Sequence, residues 1–187
     1  MKSIVLRVIL LFFPLTTYAE LSFQELAMLS DKPEQLQGRF TQEKYLSVVD
    51  AYLNSSGLFS YQRDAEILWE TKEPVQSKVV LTPTAIVNRQ GEREIVSLDS
   101  ETNPMVGVLS EIFFAVFTAD WNRLSGYFAV SGEQANQQWR AELIPLDAVI
   151  KQVVSRVELK GDTLLREVVL YESGGDYTRI HFHELSR

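Results

Sequence analysis

The chain contains no cysteine among its 187 residues. A disulfide framework is therefore excluded, and a zinc site would have to be built from histidine and carboxylate ligands. There is also no thiol that could carry the lipid of a bacterial lipoprotein. We therefore expect a protein that is not anchored through a lipidated N-terminus.

Basic residues are scarce as well, because 18 Lys and Arg stand against 25 Asp and Glu, a formal net charge of -7. Nucleic-acid binders need a basic stripe that releases counterions from phosphates, so this class is disfavoured. Simple adhesion to an anionic membrane surface is disfavoured for the same electrostatic reason. The absence of repeats, low-complexity tracts and Pro/Gly/Ser-rich linkers favours a single domain.

The N-terminus has the pattern of a secretory signal peptide. Lys2 and Arg7 form a basic n-region, residues 4–15 form an apolar region, and residues 17–19 have the small-x-small pattern of a cleavage site. The apolar run is too short to span a membrane. We expect cleavage after Ala19, a soluble periplasmic protein, and a single mature domain over 20–187 whose net charge, without the two basic residues, is -9.

Most of the mature chain has the pattern of β-strands. Apolar and polar residues alternate with a period of two over 36–43 and 153–160, which places Leu36 and Phe40 on one face. Turn residues follow the second of these segments at Lys160-Gly161-Asp162. Shorter runs predict further strands at 53–61, 67–71, 75–81, 85–88, 94–98 and 164–171. The predicted fold class is mainly β with helices, built on one large, curved antiparallel sheet.

Two helices are predicted beside this sheet. A helix over 22–32 begins with a capping box of Ser22 and Glu25 and stops at Pro33. A second helix, over 103–117, is apolar nearly all round, so it must be covered on most sides, and it is too short to span a bilayer. From the residues alone, ordinary core and the wall of an apolar cavity are about equally favoured for this helix.

The number of large apolar residues favours the cavity. Each buried methylene group contributes roughly 0.8 kcal/mol, so a protein that holds a long acyl chain against the attraction of a membrane needs a deep apolar surface. Polar groups would weaken such a site. The composition of the sheet and of both helices fits a binding site for acyl chains.

The sequence carries no recognisable catalytic or cofactor motif. A nucleophile elbow, a phosphate-binding loop and a dinucleotide fingerprint are all absent. His181 and His183 have metal-ligand spacing, but an alternating strand places them on one face with Tyr177 and Arg179. A solvated strand face explains them better than a metal site. We therefore expect neither an enzyme nor a bound cofactor.

A series of short motifs resembles the outer-membrane lipoprotein carrier proteins of the LolA type. In chain order they are Phe40-Thr41-Gln42, the Arg63-to-Trp69 spacing, Trp69-Glu70-Thr71-Lys72-Glu73-Pro74, the apolar helix after Asn103-Pro104, Asp120-Trp121 and Leu143-Ile144-Pro145. Each motif is moderately specific, and their order across the mature chain carries the resemblance. It implies an incomplete antiparallel β-barrel of LolA/LolB type, a curved half-barrel with a helical lid, that holds acyl chains in an apolar cavity.

The resemblance also implies roles for individual residues. Arg63 stands where the family has an arginine that holds the lid through backbone carbonyls, a geometry that the five donors of a guanidinium allow. Without the resemblance, an exposed strand-end arginine beside Asp64 and Glu66 is the simpler interpretation. For Phe40 and Trp69, plain sheet core is an almost equal alternative. The residues expected to line the cavity or its lid are Leu26, Leu29, Phe40, Phe59, Ile67, Trp69, Met105, Leu109, Ile112, Phe113 and Phe117.

The function that the resemblance implies is a monomeric periplasmic carrier. It would take an acylated cargo, a lipoprotein or an envelope lipid, from an inner-membrane donor complex or exporter towards the outer membrane. The chain ends without the C-terminal extension usual in the family's carriers, which leaves the outer-membrane acceptor open.

Other hypotheses remain beside the carrier. One is a carrier accessory to an RND/MMPL-type exporter for aryl polyenes or glycolipids, and another is a periplasmic lipid or stress sensor of the RseB type. A hydrolase acting on envelope lipids is disfavoured, because no polar residue stands out as a catalytic candidate. A receptor of the LolB type would need a lipobox cysteine.

Overall fold

The structure is a computed structural model that describes residues 21–91, 93–102 and 104–187, without the side chains of residues 104, 105 and 109. Three sequence predictions fall on parts that are not described: the signal peptide over 1–19, the helix cap Asn103, and the side chains of the two site residues Met105 and Leu109.

Eleven strands and four helices occupy the described part of the chain. The strands are β1 (Gln35–Leu46), β2 (Ala51–Gln62), β3 (Glu66–Glu73), β4 (Ser77–Leu81), β5 (Ala85–Gln90), β6 (Arg93–Asp99), β7 (Phe128–Ala135), β8 (Gln138–Pro145), β9 (Val154–Gly161), β10 (Leu165–Glu172) and β11 (Tyr177–Ser186). The helices are α1 (Phe23–Leu29), α2 (Pro104–Phe117), α3 (Trp121–Leu124) and α4 (Ile150–Val153).

The strands form one antiparallel sheet in the order β6-β5-β4-β3-β2-β1-β11-β10-β9-β8-β7. Its two edges, β6 and β7, are not joined, so the sheet is an open half-barrel. The predicted fold class, an incomplete antiparallel β-barrel with helices, is therefore confirmed. No helix among the described residues combines the length and the apolar character that a membrane span needs.

Strand β1 shows how the alternation in sequence creates two different faces of the sheet. Leu36 and Phe40 are buried at 6% and 1% exposure, whereas the polar residues beside them are exposed. Phe40 is in register with Phe182 of β11, and both side chains lie on the face that the helices cover. We call this face the inner face and the opposite one the outer face.

Helix α1 begins as predicted and ends earlier than predicted. The Ser22 hydroxyl accepts a hydrogen bond from the Glu25 backbone N–H, and the Glu25 carboxylate accepts one from the Ser22 N–H. The helix stops at Leu29 instead of continuing to residue 32, and Ser30 already has an extended backbone. The physical reason is Pro33, which has no N–H to donate to the carbonyl of Leu29 and whose ring would clash with that carbonyl if the helix continued.

Helix α2 ends in a turn that leaves a backbone carbonyl free for other partners. The N–H groups of Asp120 and Ala119 donate to the carbonyls of Ala115 and Val116, with Ala119 in the left-handed region at φ 53°. These two bonds form a Schellman-type ending. The carbonyl of Thr118 accepts neither of these two bonds. It lies at the C-terminal end of the helix, which is the negative end of the helix dipole.

The inner face carries two apolar clusters. One, over β7–β10, surrounds α1 and α3 and includes Leu26, Trp121 and Trp139. The other lies over β1–β5 and β11. Helix α2 belongs to both, because Ala115 packs in the first cluster and Phe114 in the second. The helix therefore lies across the sheet as a cover for the second cluster.

Candidate functional site

Aromatic side chains fill the interface between the C-terminal half of α2 and the inner face of the sheet. We call this set the aromatic cluster; it consists of Phe40, Phe59, Tyr61, Trp69, Phe117 and Phe182. The ring of Phe117, on α2, lies 5.6 Å from those of Phe59 and Phe182, between ring centroids. It lies 6.1 Å from the ring of Tyr61 and 6.5 Å from that of Trp69. Tilted and edge-to-face contacts of this kind add to the stabilisation from buried area.

The interface is closed. A cavity of about 10 Å³ remains between α2 and the sheet, beside Phe59, Phe117 and Phe182. One water molecule needs roughly 10–15 Å³, and pockets for drug-sized ligands usually measure about 300–1,000 Å³. An acyl chain therefore fits between α2 and the sheet only after the helix has moved away.

The predicted site residues are divided between the two apolar clusters. Phe40, Phe59 and Ile67 are buried in the second cluster, with Trp69 and Phe117 packed against it. The others lie elsewhere: Leu26 is buried and Leu29 and Ile112 are half-buried against the first cluster, whereas Phe113 faces outward at 47% exposure. Phe113 is thus on the helix that covers the second cluster, but its side chain faces away from that cluster.

Two aromatic residues complete the site although the sequence-based set did not include them. Phe114 of α2 is 5% exposed and Phe182 of β11 is 6% exposed, both within the second cluster. Phe114 follows Phe113 by one position, a rotation of about 100° around the helix. Phe182 has the inward parity that alternation along β11 predicts, so its position was readable from the sequence.

Arg63 lies where α1 and α2 both end. Its Nη2 atom is 3.0 Å from the carbonyl oxygen of Pro33, after α1, and 3.5 Å from that of Thr118, after α2. Its Nε atom is 3.2 Å from a carboxylate oxygen of Glu34. The side chain is 20% exposed. One guanidinium thus joins the turn between β2 and β3 to the exits of both helices.

Tyr61 supports the same contact from inside the aromatic cluster. Its hydroxyl donates to the carbonyl oxygen of Pro33 at 2.7 Å, so that carbonyl accepts from both Tyr61 and Arg63. Burial raises the pKa of the Tyr61 phenol to about 12, because a phenolate would lose its hydration among apolar rings. The neutral phenol is therefore the form that fits the closed interface.

The raised pKa of Tyr61 predicts a loss of stability at alkaline pH. An unfolded tyrosine has a pKa of about 10, below the folded value of about 12. Stability from this group is fully present below pH 10 and is lost as the pH rises towards 12. In urea titrations, the wild-type free energy of unfolding should fall more steeply over this interval than that of Tyr61→Phe. The other tyrosines are common to both proteins, so parallel curves would contradict the prediction.

Titratable groups elsewhere in the described residues do not form a metal-binding cluster. No group of three or more His, Asp or Glu side chains in them has the geometry of a metal site. His181 lies on the outer face, with its Nδ1 atom 3.1 Å from a carboxylate oxygen of Glu167.

Comparison with known proteins gives one family match over most of the chain. A model of the family described as outer membrane lipoprotein carrier protein LolA matches residues 31–187. No curated protein matches the chain.

Solved structures with similar folds have low sequence identity. A chain of the Pseudomonas aeruginosa MucA/MucB complex is 15% identical, with a TM-score of 0.50 over 88% of this chain and 55% of that one. A LolA superfamily protein from Nitrosomonas europaea is 7% identical, with a TM-score of 0.47 over 88% and 90% of the two chains. A DUF1329 family protein from Desulfovibrio piger is 11% identical, with a TM-score of 0.45 over 87% and 89%. At 15% identity, the likeness to the Pseudomonas chain shows a shared fold.

Proposed function

The chain belongs to the LolA family of outer membrane lipoprotein carrier proteins, and we propose that it is a non-enzymatic periplasmic carrier for acyl chains. Its cargo is a lipoprotein or an envelope lipid, which it shields between α2 and the inner face of the sheet. It takes the cargo from a donor at the inner membrane and moves it towards the outer membrane.

The observation that carries this proposal is the aromatic interface between α2 and the sheet. Phe114 and Phe117 on the helix meet Phe59 and Phe182 on the sheet almost without polar contacts. When α2 lifts, an acyl chain that enters the gap keeps these rings out of water. The rings of the sheet then lose their contacts with α2 and gain contacts with the acyl chain. Each methylene group that the chain buries contributes roughly 0.8 kcal/mol.

Arg63 is proposed to act as the latch of the closed form. Its contacts with the carbonyls of Pro33 and Thr118 join the two helix exits, and lifting α2 breaks the contact with Thr118. Hydrogen bonds to a charged donor contribute roughly 1.5–3 kcal/mol each. A latch of this strength keeps the lid closed when no cargo is bound. Burial of several methylene groups of an acyl chain contributes more than this free energy, so cargo binding can open the lid.

The carrier function is tested by acyl-chain binding to the purified protein. Protein from the periplasm of a diderm host is analysed by native mass spectrometry for bound lipid, and a dansyl-labelled fatty acid is titrated against the delipidated protein. We expect co-purified acyl lipid, saturable fluorescence enhancement and displacement by unlabelled fatty acid. Absence of both bound lipid and saturable binding would contradict the proposal.

A second candidate function is a periplasmic sensor that reports lipid to a protein partner. It is supported by the shared fold with a chain of the MucA/MucB complex, a complex between two proteins. The two functions differ in what happens to the cargo. A carrier transfers a bound fluorescent acyl lipid to acceptor vesicles, whereas a sensor retains it and changes its affinity for a protein.

A further inference from the structure

Helix α2 buries one polar side chain within its apolar inner surface. Val106, Ser110 and Phe114 follow one another at intervals of four residues, and their exposures are 1%, 0% and 5%. They therefore share the helix face that packs on the sheet. The hydroxyl of Ser110 has no hydrogen-bond partner among the described residues, although a helical serine often donates to the carbonyl four residues earlier.

On the inner face of the sheet, a row of side chains runs across four neighbouring strands, and this row also contains one polar residue. Phe59, Trp69, Val79 and Asn88 are successive register partners across β2, β3, β4 and β5. Residues in direct register point to the same side of a sheet, so all four lie on the inner face. The Oδ1 atom of Asn88 is buried and unpaired among the described residues.

Both unpaired groups lie towards the β5 side of the interface, because Ser110 precedes Phe117 by seven residues, roughly 10 Å along the helix. Helix α2 lies against β5 and β6, whereas its last residue, Phe117, contacts Phe59 and Phe182 on β2 and β11. From β5 to β2 the row covers three strand spacings of about 4.8 Å, roughly 14 Å in all. The interface is thus apolar along its length and polar at the β5 end. It matches a ligand that has a long apolar chain and one polar group at the end of that chain.

We propose that Ser110 and Asn88 bind the amide junction of an amide-linked acyl chain, whose hydrocarbon lies along the aromatic cluster. The inference rests on the proposed carrier function and names the class of its cargo. The Asn88 Oδ1 atom accepts hydrogen bonds only, so it requires a donor, and an amide N–H supplies one. The Ser110 hydroxyl then donates to the amide carbonyl.

An ester junction fits this pair of groups less well. It offers a carbonyl to Ser110 but no donor to Asn88, so the Asn88 oxygen stays unpaired inside an apolar interface. The Asn88 oxygen is already buried and unpaired among the described residues before a ligand binds, so the amide gains a hydrogen bond there and the ester gains none. The arrangement therefore selects an amide-linked acyl chain over an ester-linked chain of the same length.

The selection is tested with two probes that differ only in this junction, N-methyldodecanamide and methyl dodecanoate. Each displaces a dansyl-labelled fatty acid from the delipidated full-length mature protein. We expect the wild-type protein to bind the amide about tenfold more tightly than the ester. In Asn88→Leu this ratio should fall to near one, with ester affinity unchanged. Ser110→Ala should instead weaken the binding of both probes and keep the ratio, because both probes offer a carbonyl to Ser110. Ser97→Ala, on exposed strand β6, is the matched control and should keep the wild-type ratio.

A second readout separates ligand recognition from a structural role. Because unpaired buried polar groups destabilise the empty protein, Ser110→Ala and Asn88→Leu should raise its urea midpoint. A lowered midpoint would show that the two groups are already satisfied, for example through a bound water, and would overturn the inference. Equal affinity of the wild-type protein for both probes would overturn it and leave the carrier function intact. Failure of both probes and of the fatty acid to bind would overturn the carrier function as well.

Discussion

Replacing Gly57 with alanine is expected to lower the free energy of unfolding by about 3 kcal/mol or more. A Cβ atom on Gly57 would lie 2.0 Å from the carbonyl oxygen of Glu70 and 2.9 Å from a ring carbon of Phe40. Neither neighbour gives way easily. The Glu70 carbonyl is main chain of β3, and Phe40 is 1% exposed with its ring centroid 3.9 Å from that of Trp69. The added methyl group therefore separates β2 from β3 or displaces the ring at the centre of the inner face.

Urea unfolding followed by far-ultraviolet circular dichroism measures this effect. Gly174→Ala is the matched control, because no atom lies within 4 Å of the Cβ position there. Its free energy of unfolding should stay within roughly 0.5 kcal/mol of the wild-type value. A similarly small change for Gly57→Ala would show that β2 and β3 shift apart freely, and would contradict the close packing described here.

The strands with regular alternation are the part of the fold that the sequence predicted best. Leu36 and Phe40 of β1 share one parity, as do Val157 and Leu159 of β9, and the structure buries all four on the inner face. Strand β7 was not predicted, because its sequence from Phe128 to Ala135 loses the alternation after Val130. What holds its polar end is pairing with β8, so close that a Cβ on Gly132 would meet the Arg140 carbonyl oxygen at 2.1 Å. Such pairing depends on a neighbour that periodicity does not identify.

The sequence predicted those parts of the candidate site that depend only on which face of a single strand or helix is buried. Phe59 and Trp69 follow from strand parity, and Phe117 from the apolar helix. Leu26 belongs to an equally clear apolar face, yet that face packs on the first cluster instead of the second. Periodicity tells which side of an element is buried and not which neighbour buries it. The packing of the helix face with Ser110 and Phe114 against the second cluster is a property of the tertiary structure alone, for the same reason.

The latch predicts the largest change in ligand binding. Arg63→Leu removes the contacts with Pro33 and Thr118 and should tighten acyl-chain binding, because the closed form competes with the ligand. The apparent dissociation constant equals the intrinsic constant divided by the fraction of open protein. Lifting α2 breaks only the contact with Thr118. If this contact favours the closed form by about 2 kcal/mol, its loss raises affinity roughly 30-fold. Transfer of bound lipid to vesicles should slow by a comparable factor, since the variant no longer gains this contact on release.

A matched control distinguishes the latch from a general effect of removing charge beside α2. Arg123 forms an ion pair with Asp120 at 2.8 Å and is 51% exposed, so Arg123→Leu changes the same net charge close to the same helix exit. Its affinity for the dansyl-labelled fatty acid should stay within about twofold of the wild-type value, as expected for a surface ion pair. Arg63→Lys should fall between leucine and wild type, because one ammonium group replaces the planar guanidinium fork. If Arg63→Leu folds, as judged by circular dichroism, and binds no more tightly than Arg123→Leu, Arg63 is a structural strand-end residue and the lid is held by its aromatic contacts alone.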